Sequence, residues 1–408
     1  MIPSNANGER KRVLVLTSTF PRWVGDTEPA FVHALCERLS ERFDVWVLAP
    51  HAPGAKTRES FGSIQVVRFR YFFDWGESLA YQGGIMAKLR SKRLRYLLVP
   101  PFLACQEVAL LRLLLTQRFD VVHAHWLFPQ GFVAGVAKRL LPRFPALVCT
   151  SHGTDLNGLQ GGLFTRIKRF AIRQSDAFTV VSAAMQVKTQ SLDVDLQKTS
   201  VIPMGVDARV LFCPDNMVPR ASQQLLFVGR LDSQKGLDTV LRAMSDILVD
   251  CPQCTLRIVG SGPELQRLQE QVSELGITGS VTFAGAIPNR DLVDYYRRAT
   301  LLVFPSVGAE GLPVVCAEAL ACECPVIASD FSSVHEIVQH GVSGVVFPAG
   351  DSTALAQVIV QLLPDPERRA AMGAAGRGYV LARFDWSRVA AEFTSIYDRL
   401  ASPESSKV

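Results

Sequence analysis

Short, nearly continuous apolar runs of four to six residues recur along the chain, and longer stretches with apolar residues at every third or fourth position lie between several of them. The first pattern fits strands buried on both faces. The second fits helices that cover a sheet with one stripe, and their alternation predicts parallel βαβ units. In the first half, strands are expected at 12–17, 44–49, 64–68, 121–124, 146–150 and 177–181, with helices such as 30–40 and 164–174. In the second half, strands are expected at 224–228, 255–259, 280–283, 301–305, 325–328 and 344–347. Helices are expected there at 237–248, 264–275, 291–298 and 314–321, and a last one at 387–400 behind Phe384 and Trp386.

Between the two series, Val201-Ile202-Pro203-Met204-Gly205-Val206-Asp207 leads into a stretch with Pro and Asn that reads as a linker. The expected organisation is a first Rossmann-like domain over 1–207, a linker over 208–222, a second Rossmann-like domain over 223–385, and a final segment over 386–408. This is an α/β chain of two doubly wound domains facing each other across a cleft. Open parallel sheets bind ligands beyond the carboxyl ends of their strands, so candidate chemistry is sought in the loops that follow them.

Composition narrows the classes. At 408 residues, 48% apolar and 20% charged, the chain has material for two cores and is neither disordered nor a stapled miniprotein. Its longest apolar stretch, 96–115, is interrupted by Pro100, Pro101, Gln106 and Glu107. Arg10, Lys11 and Arg12 precede only a short apolar run, too short for a signal peptide. The expectation is a cytoplasmic protein, with a peripheral place at the inner membrane face as its extension. The nine cysteines have no regular spacing, several of them, such as Cys149 and Cys316, sit in apolar strings as small hydrophobes, and Cys251-Pro-Gln-Cys254 lacks the second ligand pair that zinc needs. The net charge of +5 is uneven. Residues 1–210 carry 27 Lys and Arg against 16 Asp and Glu, while residues 211–408 carry 16 against 22. The first half therefore suits an anionic partner.

Two loops in the second half carry the strongest chemistry. Gly229-Arg230-Leu231-Asp232-Ser233-Gln234-Lys235-Gly236 follows a strand and holds a guanidinium and an ammonium between glycines, a suitable pair for a diphosphate. Pro305-Ser306-Val307-Gly308-Ala309-Glu310-Gly311-Leu312-Pro313 leads from another strand into a helix with Pro313 as its first residue. N–H groups near that helix start, at Leu312, Val314 or Val315, attract phosphate. Glu310 and Glu318 can each accept hydrogen bonds from vicinal hydroxyls.

Together these elements resemble the retaining glycosyltransferases of family 4 (glycosyl transferases group 1), which have the GT-B fold. The likeness extends to Ile202-Pro203-Met204-Gly205-Val206-Asp207, Val259-Gly260-Ser261-Gly262-Pro263-Glu264, Phe283-Ala284-Gly285 and the run 318–329. It implies that Arg230 and Lys235 bind the donor diphosphate, that Glu310 contacts the donor sugar with Gly311, Leu312 and Val314 beside it, and that Glu318 holds the ribose hydroxyls. Ser151-His152-Gly153-Thr154-Asp155 resembles the family's His-Gly segment, which makes His152 a catalytic candidate with Glu310. The implied last helix crosses back onto the first domain.

The implied reaction is a retaining, metal-independent transfer of a hexosyl group from a nucleoside diphosphate sugar to a hydroxyl of a glycan or lipid-linked acceptor, in surface polysaccharide or glycolipid assembly. No cofactor, no metal and no nucleic acid is expected. The competing readings are a nucleotide-sugar epimerase of the same fold and a non-catalytic nucleotide-sugar-binding scaffold.

Other features stay open. His123 and His125 alternate onto one strand face. Asp155 either orients His152 or ends a turn. Asp193-Val194-Asp195 matches a metal-binding pattern of a different glycosyltransferase fold, and Gly260-Ser261-Gly262 begins like a dinucleotide fingerprint that Leu265 breaks. The loop after the first strand departs from the family's Gly-Gly pair, and Arg22, Trp23 and Asp26 there are acceptor-side candidates. Lys88, Arg90, Lys92, Arg93 and Arg95 lie within eight residues without an acid, interleaved with leucines. They predict a basic amphipathic helix facing an anionic membrane surface.

Overall fold

Val13, Leu14, Val15 and Leu16 are all wholly buried, as a strand covered on both faces requires. They form most of β1 (Arg12–Leu16), the centre of the first of two sheets in a computed structural model. The structure describes residues 10–401 except Thr27, Pro29, Gln82, Leu159, Asp193, residues 195–198, Ala309 and the side chain of Ala87. Asp193 and Asp195 thus lie outside the described residues. The chain divides into two units, Met1–Pro203 with Val389–Val408, and Met204–Arg388.

The sheet of the first unit also contains β2 (Asp44–Pro50), β3 (Arg58–Phe61), β4 (Ile64–Phe69), β5 (Val121–His125), β6 (Ala146–Ser151), β7 (Ala177–Val180) and β8 (Thr199–Val201). Its order is β3-β4-β2-β1-β5-β6-β7-β8, parallel except for the antiparallel β3–β4 edge. The second unit holds β9 (Gln224–Val228), β10 (Thr255–Val259), β11 (Val281–Gly285), β12 (Leu301–Phe304), β13 (Val326–Ser329) and β14 (Gly344–Phe347), in the all-parallel order β11-β10-β9-β12-β13-β14. β9 is flanked by β10 and β12, so the loops after these three strands are neighbours, and this is where the second unit carries its motif residues.

The helices follow their apolar stripes. Helix Leu237–Asp250 buries Leu237, Val240, Leu241, Met244 and Ile247, one face at helical spacing, against Leu225 and Phe227 of β9 and Ile258 of β10. Cys251 and Cys254 are free and sit in this same core as small apolar groups. The last helix, Trp386–Leu400, belongs to the first unit from Val389 onward.

Three expectations change. The segment 208–222 is built into the second unit. Phe212 is buried, and the guanidinium of Arg220 donates to the carbonyls of Ala299 (2.7 Å) and Cys322 (2.9 Å). The basic run is not one helix: helix Gly84–Ser91 ends where Lys92 turns extended (φ −148°, ψ 112°), and a 3-10 turn, Arg93–Leu98, leads into helix Val99–Thr116. Crowded cations oppose a continuous helix, and Arg95 turns back to donate to the carbonyl of Lys88 (3.0 Å). Finally, Arg93–Thr116 is long and apolar enough to cross a membrane by length and composition, despite its prolines and polar residues. Here it packs Phe102, Gln106, Leu110 and Leu113 inward and leaves Val108 and Leu115 exposed.

Candidate active site

Backbone approach builds the site in the second unit. Gly260 has φ +146°, and a Cβ there would lie 1.8 Å from the carbonyl oxygen of Gly229. Only glycine lets the ends of β9 and β10 run this close. The N–H of Leu231 then donates to Ser261 O (3.0 Å), and that of Glu264 to Leu231 O (3.1 Å). The two glycines that begin like a dinucleotide fingerprint thus support the loop that carries Arg230. Asp232 caps the 3-10 turn Ser233–Lys235 by accepting from the N–H of Gln234 (3.1 Å) and lies 3.5 Å from the guanidinium of Arg230. The carbonyl of Gln234 accepts from Val307 N (2.8 Å), which fastens this loop to the one after β12.

That fastening brings Lys235 to Glu310. Nζ donates to Oε1 at 2.6 Å, Ser306 Oγ donates to the same oxygen at 2.7 Å, and Nζ lies 5.3 Å from the Phe304 ring centre. Both side chains are about one-fifth exposed, so the pair is reachable by a ligand. Gly311 is half-buried and Leu312 buried. Pro313 stands at the N-cap of helix Val314–Ala321 rather than inside it. The N–H of Val314 is taken by Leu312 O (3.0 Å), which removes Val314 as a phosphate donor. Val315 is then the first helical N–H without a backbone partner among the described residues.

Glu318 is buried one and a half turns into that helix. Asn289 Nδ2 donates to Oε1 (2.9 Å) and Tyr296 O–H to Oε2 (2.8 Å). Sequence reasoning missed both partners. They come from the loop and helix after β11, and only the fold brings them here. Burial raises the carboxyl's pKa from 4.5 to about 7, although both donors pull it down. Between these values the folded protein keeps a proton that the unfolded chain has lost, so this group's contribution to stability falls as pH rises through the window and is level above it. A ligand hydroxyl that donates to Glu318 favours the carboxylate. Binding of a sugar nucleotide, whose diphosphate does not titrate there, should therefore tighten from about pH 6 to about pH 8, and Glu318→Gln should flatten that profile in calorimetric titrations. A parent profile as flat as the variant's would remove Glu318 from the ligand's contacts.

In the first unit, His152 follows β6. Its Nε2 lies 2.8 Å from His125 Nδ1, the two rings stack 5.1 Å apart, and Phe31 and Trp126 lie 5.0 Å away. Burial drops the His152 pKa to about 3, so the ring is neutral at ordinary pH. His152 Nδ1 and His125 Nε2 are buried without partners among the described residues. His123 lies on the same strand face as His125, 4.2 Å between centroids, and bonds Tyr397 (2.6 Å) and Thr150 (2.7 Å). Its pKa also falls to about 3 through burial, with His152 adding to the fall. Asp155 does not orient His152. Its carboxylate accepts from Leu127 N (2.7 Å), Ser151 Oγ (2.8 Å) and Gly153 N (3.2 Å), and so shapes the turn.

Arg22 and Asp26 close on one another, with Arg22 Nε at 2.8 Å and its terminal nitrogen at 2.7 Å from the carboxylate. Arg22 also lies over Trp23 at 4.4 Å, and Trp23 is 43% exposed. Trp23 is thus the open member of that trio. Of the five clustered cations, Arg90, Lys92 and Arg93 are exposed, whereas Lys88 and Arg95 are half-buried. A separate group, His51, Asp74 and Glu77, offers three ligand atoms within 4.8 Å of one another. Its atoms are already engaged: His51 Nδ1 bonds Glu77 Oε2, His51 Nε2 bonds Ala55 O (2.9 Å), and Glu77 Oε1 accepts from Tyr71 N (3.2 Å).

Residues 30–210 match the model for Glycosyltransferase Family 4, and residues 216–379 match that for Glycosyl transferases group 1. A GDP-mannose-dependent α-(1-6)-phosphatidylinositol monomannoside mannosyltransferase of Mycolicibacterium smegmatis is 30% identical over 277 residues, 63% of this chain and 71% of that protein. An N-acetyl-α-D-glucosaminyl L-malate synthase of Bacillus anthracis is 27% identical over 72% of this chain and 78% of its own. Among solved structures, a sucrose-phosphate synthase from Thermosynechococcus elongatus has a TM-score of 0.79 at 23% identity, covering 96% of this chain and 99% of its own. The Anabaena HepE protein in complex with UDP-glucose has 0.73 at 19%, covering 95% and 100%.

Proposed function

The chain belongs to the family 4, group 1 glycosyltransferases, and from that premise we propose that it moves a hexosyl group, with retention and without a metal, from a nucleoside diphosphate sugar to a hydroxyl of a glycan or lipid-linked acceptor. The observation that carries this reading is the convergence of Arg230, Lys235 and Glu310 at the carboxyl ends of β9 and β12, with Glu318 on the following helix. Cleaving the sugar–phosphate bond builds charge on the departing diphosphate. Arg230, Lys235 and the N–H of Val315 supply fixed positive ends to meet it. Glu310 accepts from the sugar's hydroxyls once Lys235 turns to the phosphate, and Glu318 accepts from the ribose. His152, neutral, is assigned contact with the transferred sugar, and His125 holds its ring.

The donor's base is left to experiment. One relative is named for GDP-mannose, and one structural neighbour was solved with UDP-glucose. Trp23 and the exposed cations Arg90, Lys92 and Arg93 are assigned to the acceptor and to an anionic membrane face, and the exposure of these side chains supports a peripheral, cytoplasmic-side reading. A thermal-shift screen of UDP-, GDP- and ADP-sugars in EDTA tests the donor site. A ligand at 100 times its Kd adds about 2.7 kcal/mol to stability, so one nucleotide family should raise the Tm of the parent and not of Arg230→Ala or Glu318→Ala. Stabilisation that appears only with a divalent ion would overturn the metal-free assignment. Conversion of donor without acceptor would favour an epimerase, and binding without turnover a scaffold.

A further inference from the structure

We propose that the first unit carries a second binding site, a pocket on the edge of its sheet that takes the phosphate headgroup of an anionic bilayer phospholipid. β3, β4 and helix Val99–Thr116 enclose a cavity of about 430 Å³ that shares no residue with the site described above. Arg58, Arg70 and Arg112 line it, all three exposed, over Val67, Val108 and Leu113, and no carboxylate is among its lining residues. Arg58 and Arg112 have no ion pair among the described residues, and Arg70 has only Asp74, at 3.0 Å and more than half exposed. A fourth arginine of the lining, Arg68, is buried and spends its charge on Glu59 and on the carbonyls of Lys56 and Pro21, with its Nε left unpartnered. Like charges gathered at one mouth repel until an anion joins them, and arginine forks suit a phosphate.

The surroundings say what carries that phosphate. An 18-residue window of Arg93–Thr116 has a mean hydropathy of 1.6, yet only 22% of that window is buried. Ala104, Val108, Arg112 and Leu115 follow one another at helical spacing, so the stripe that lines the pocket continues as exposed apolar surface, with Val108 at 65% and Leu115 at 74%. On the other flank Asp74, paired to Arg70, stands in sequence between Phe73 and Trp75, residues 69% and 82% exposed with nearly parallel rings. Exposed aromatic and aliphatic residues around a cationic pocket match the boundary of a lipid bilayer, where apolar groups enter the acyl region and arginines stay at the phosphates. A free phosphate would use the arginines and leave the apolar rim unexplained. A second copy of this chain, packed about a two-fold axis through the pocket, would set arginines against arginines. The inference rests on the membrane-side reading above and is independent of the donor assignments.

Vesicle sedimentation of the full chain tests it, with phosphatidylcholine alone against phosphatidylcholine containing phosphatidylglycerol. The parent should bind only the anionic vesicles. Each arginine removed should weaken binding about fivefold, so Arg58→Ala with Arg112→Ala should lose more than tenfold. Phe73→Ser with Trp75→Ser should also lose binding, although it changes no charge. The sugar-nucleotide thermal shift, run on every variant, reports folding and donor binding separately. If it is absent from the parent while vesicles still bind, the donor reading fails and the pocket stands. Equal vesicle binding by the double arginine variant and the parent would overturn the pocket. So would a thermal shift with inorganic phosphate or glycerol phosphate, lost in that variant, without vesicle binding. A dimer in solution that Phe73→Ser with Trp75→Ser dissolves, again without vesicle binding, would give the surface to a second copy instead.

Discussion

Lys235→Ala should lower kcat about 10²–10³-fold, the scale for removing one fixed donor from a developing oxyanion. The ammonium is the more enclosed of the two cations of its loop, 22% exposed against 45% for Arg230, so water replaces it less well. The loss should be chemical rather than structural. The loop is held by backbone groups, with Val307 N on Gln234 O at 2.8 Å and Gly236 beside Pro305 O, and none of these needs the lysine side chain. Removing Nζ also releases Glu310, which keeps only Ser306 of its two partners at 2.6 and 2.7 Å and so loses its fixed direction. Lys235→Arg keeps a charge but brings a planar fork into a space shaped for a point charge, and should recover only part of the rate. Steady-state release of nucleoside diphosphate, with donor affinity measured separately, checks this. The fall should lie mainly in kcat, and a variant that keeps kcat within about threefold of the parent would take Lys235 out of transition-state stabilisation.

Much of this site could be read in the sequence because the central strands of the second unit, β9, β12 and β13, are buried on both faces. β9, β10 and β14 fall at the expected residues, and the others within one or two. The family resemblance of their motifs put Arg230 and Lys235 with Glu310, and the pairing of β9 with β12 makes the loops that carry them neighbours. β3, Arg-Glu-Ser-Phe, was not legible: a partly exposed edge strand paired antiparallel across Gly62-Ser63 has no continuous apolar run. Nor was β8, three residues long. The basic segment misled because its leucines have helical spacing, while local hydrogen bonding at Arg95 and the extended Lys92 break the helix. Partners distant in sequence were beyond reach for another reason. Asn289 and Tyr296 meet Glu318, and Tyr397 meets His123 across 274 residues, only through packing that no local pattern encodes. His125 is intermediate, since alternation put it beside His123 but gave no sign that it would hold His152.

Gly260→Ala should unfold the second unit far more readily than any surface change. The position needs φ +146°, which an L-residue adopts only under strain, and the new methyl carbon would overlap the carbonyl oxygen of Gly229, which is backbone and has no rotamer to yield. Relief requires β9 and β10 to part at their ends. That pulls Leu231 from Ser261 and Glu264 from Leu231, and moves Arg230 with them. Strain together with lost hydrogen bonds amounts to about 3 kcal/mol or more. For a unit of this size that is a fall in Tm of roughly 6–12 °C by scanning calorimetry. Gly276→Ala is the control. It also has a positive φ, +68°, but nothing lies within 4 Å of its Cβ position, so it should cost only about 1–2 kcal/mol. The contrast separates a glycine kept for its dihedral from one kept for close approach of backbone. Should the two variants melt together, close approach of β9 and β10 does not set the cost at Gly260, and the support for Arg230 must be sought in Asp232 and the loop's own turn instead. Should Gly260→Ala melt early but still bind sugar nucleotide below its transition, the loop would hold its shape without the strand ends, and the donor site would owe more to its contact with the loop after β12 than to β10.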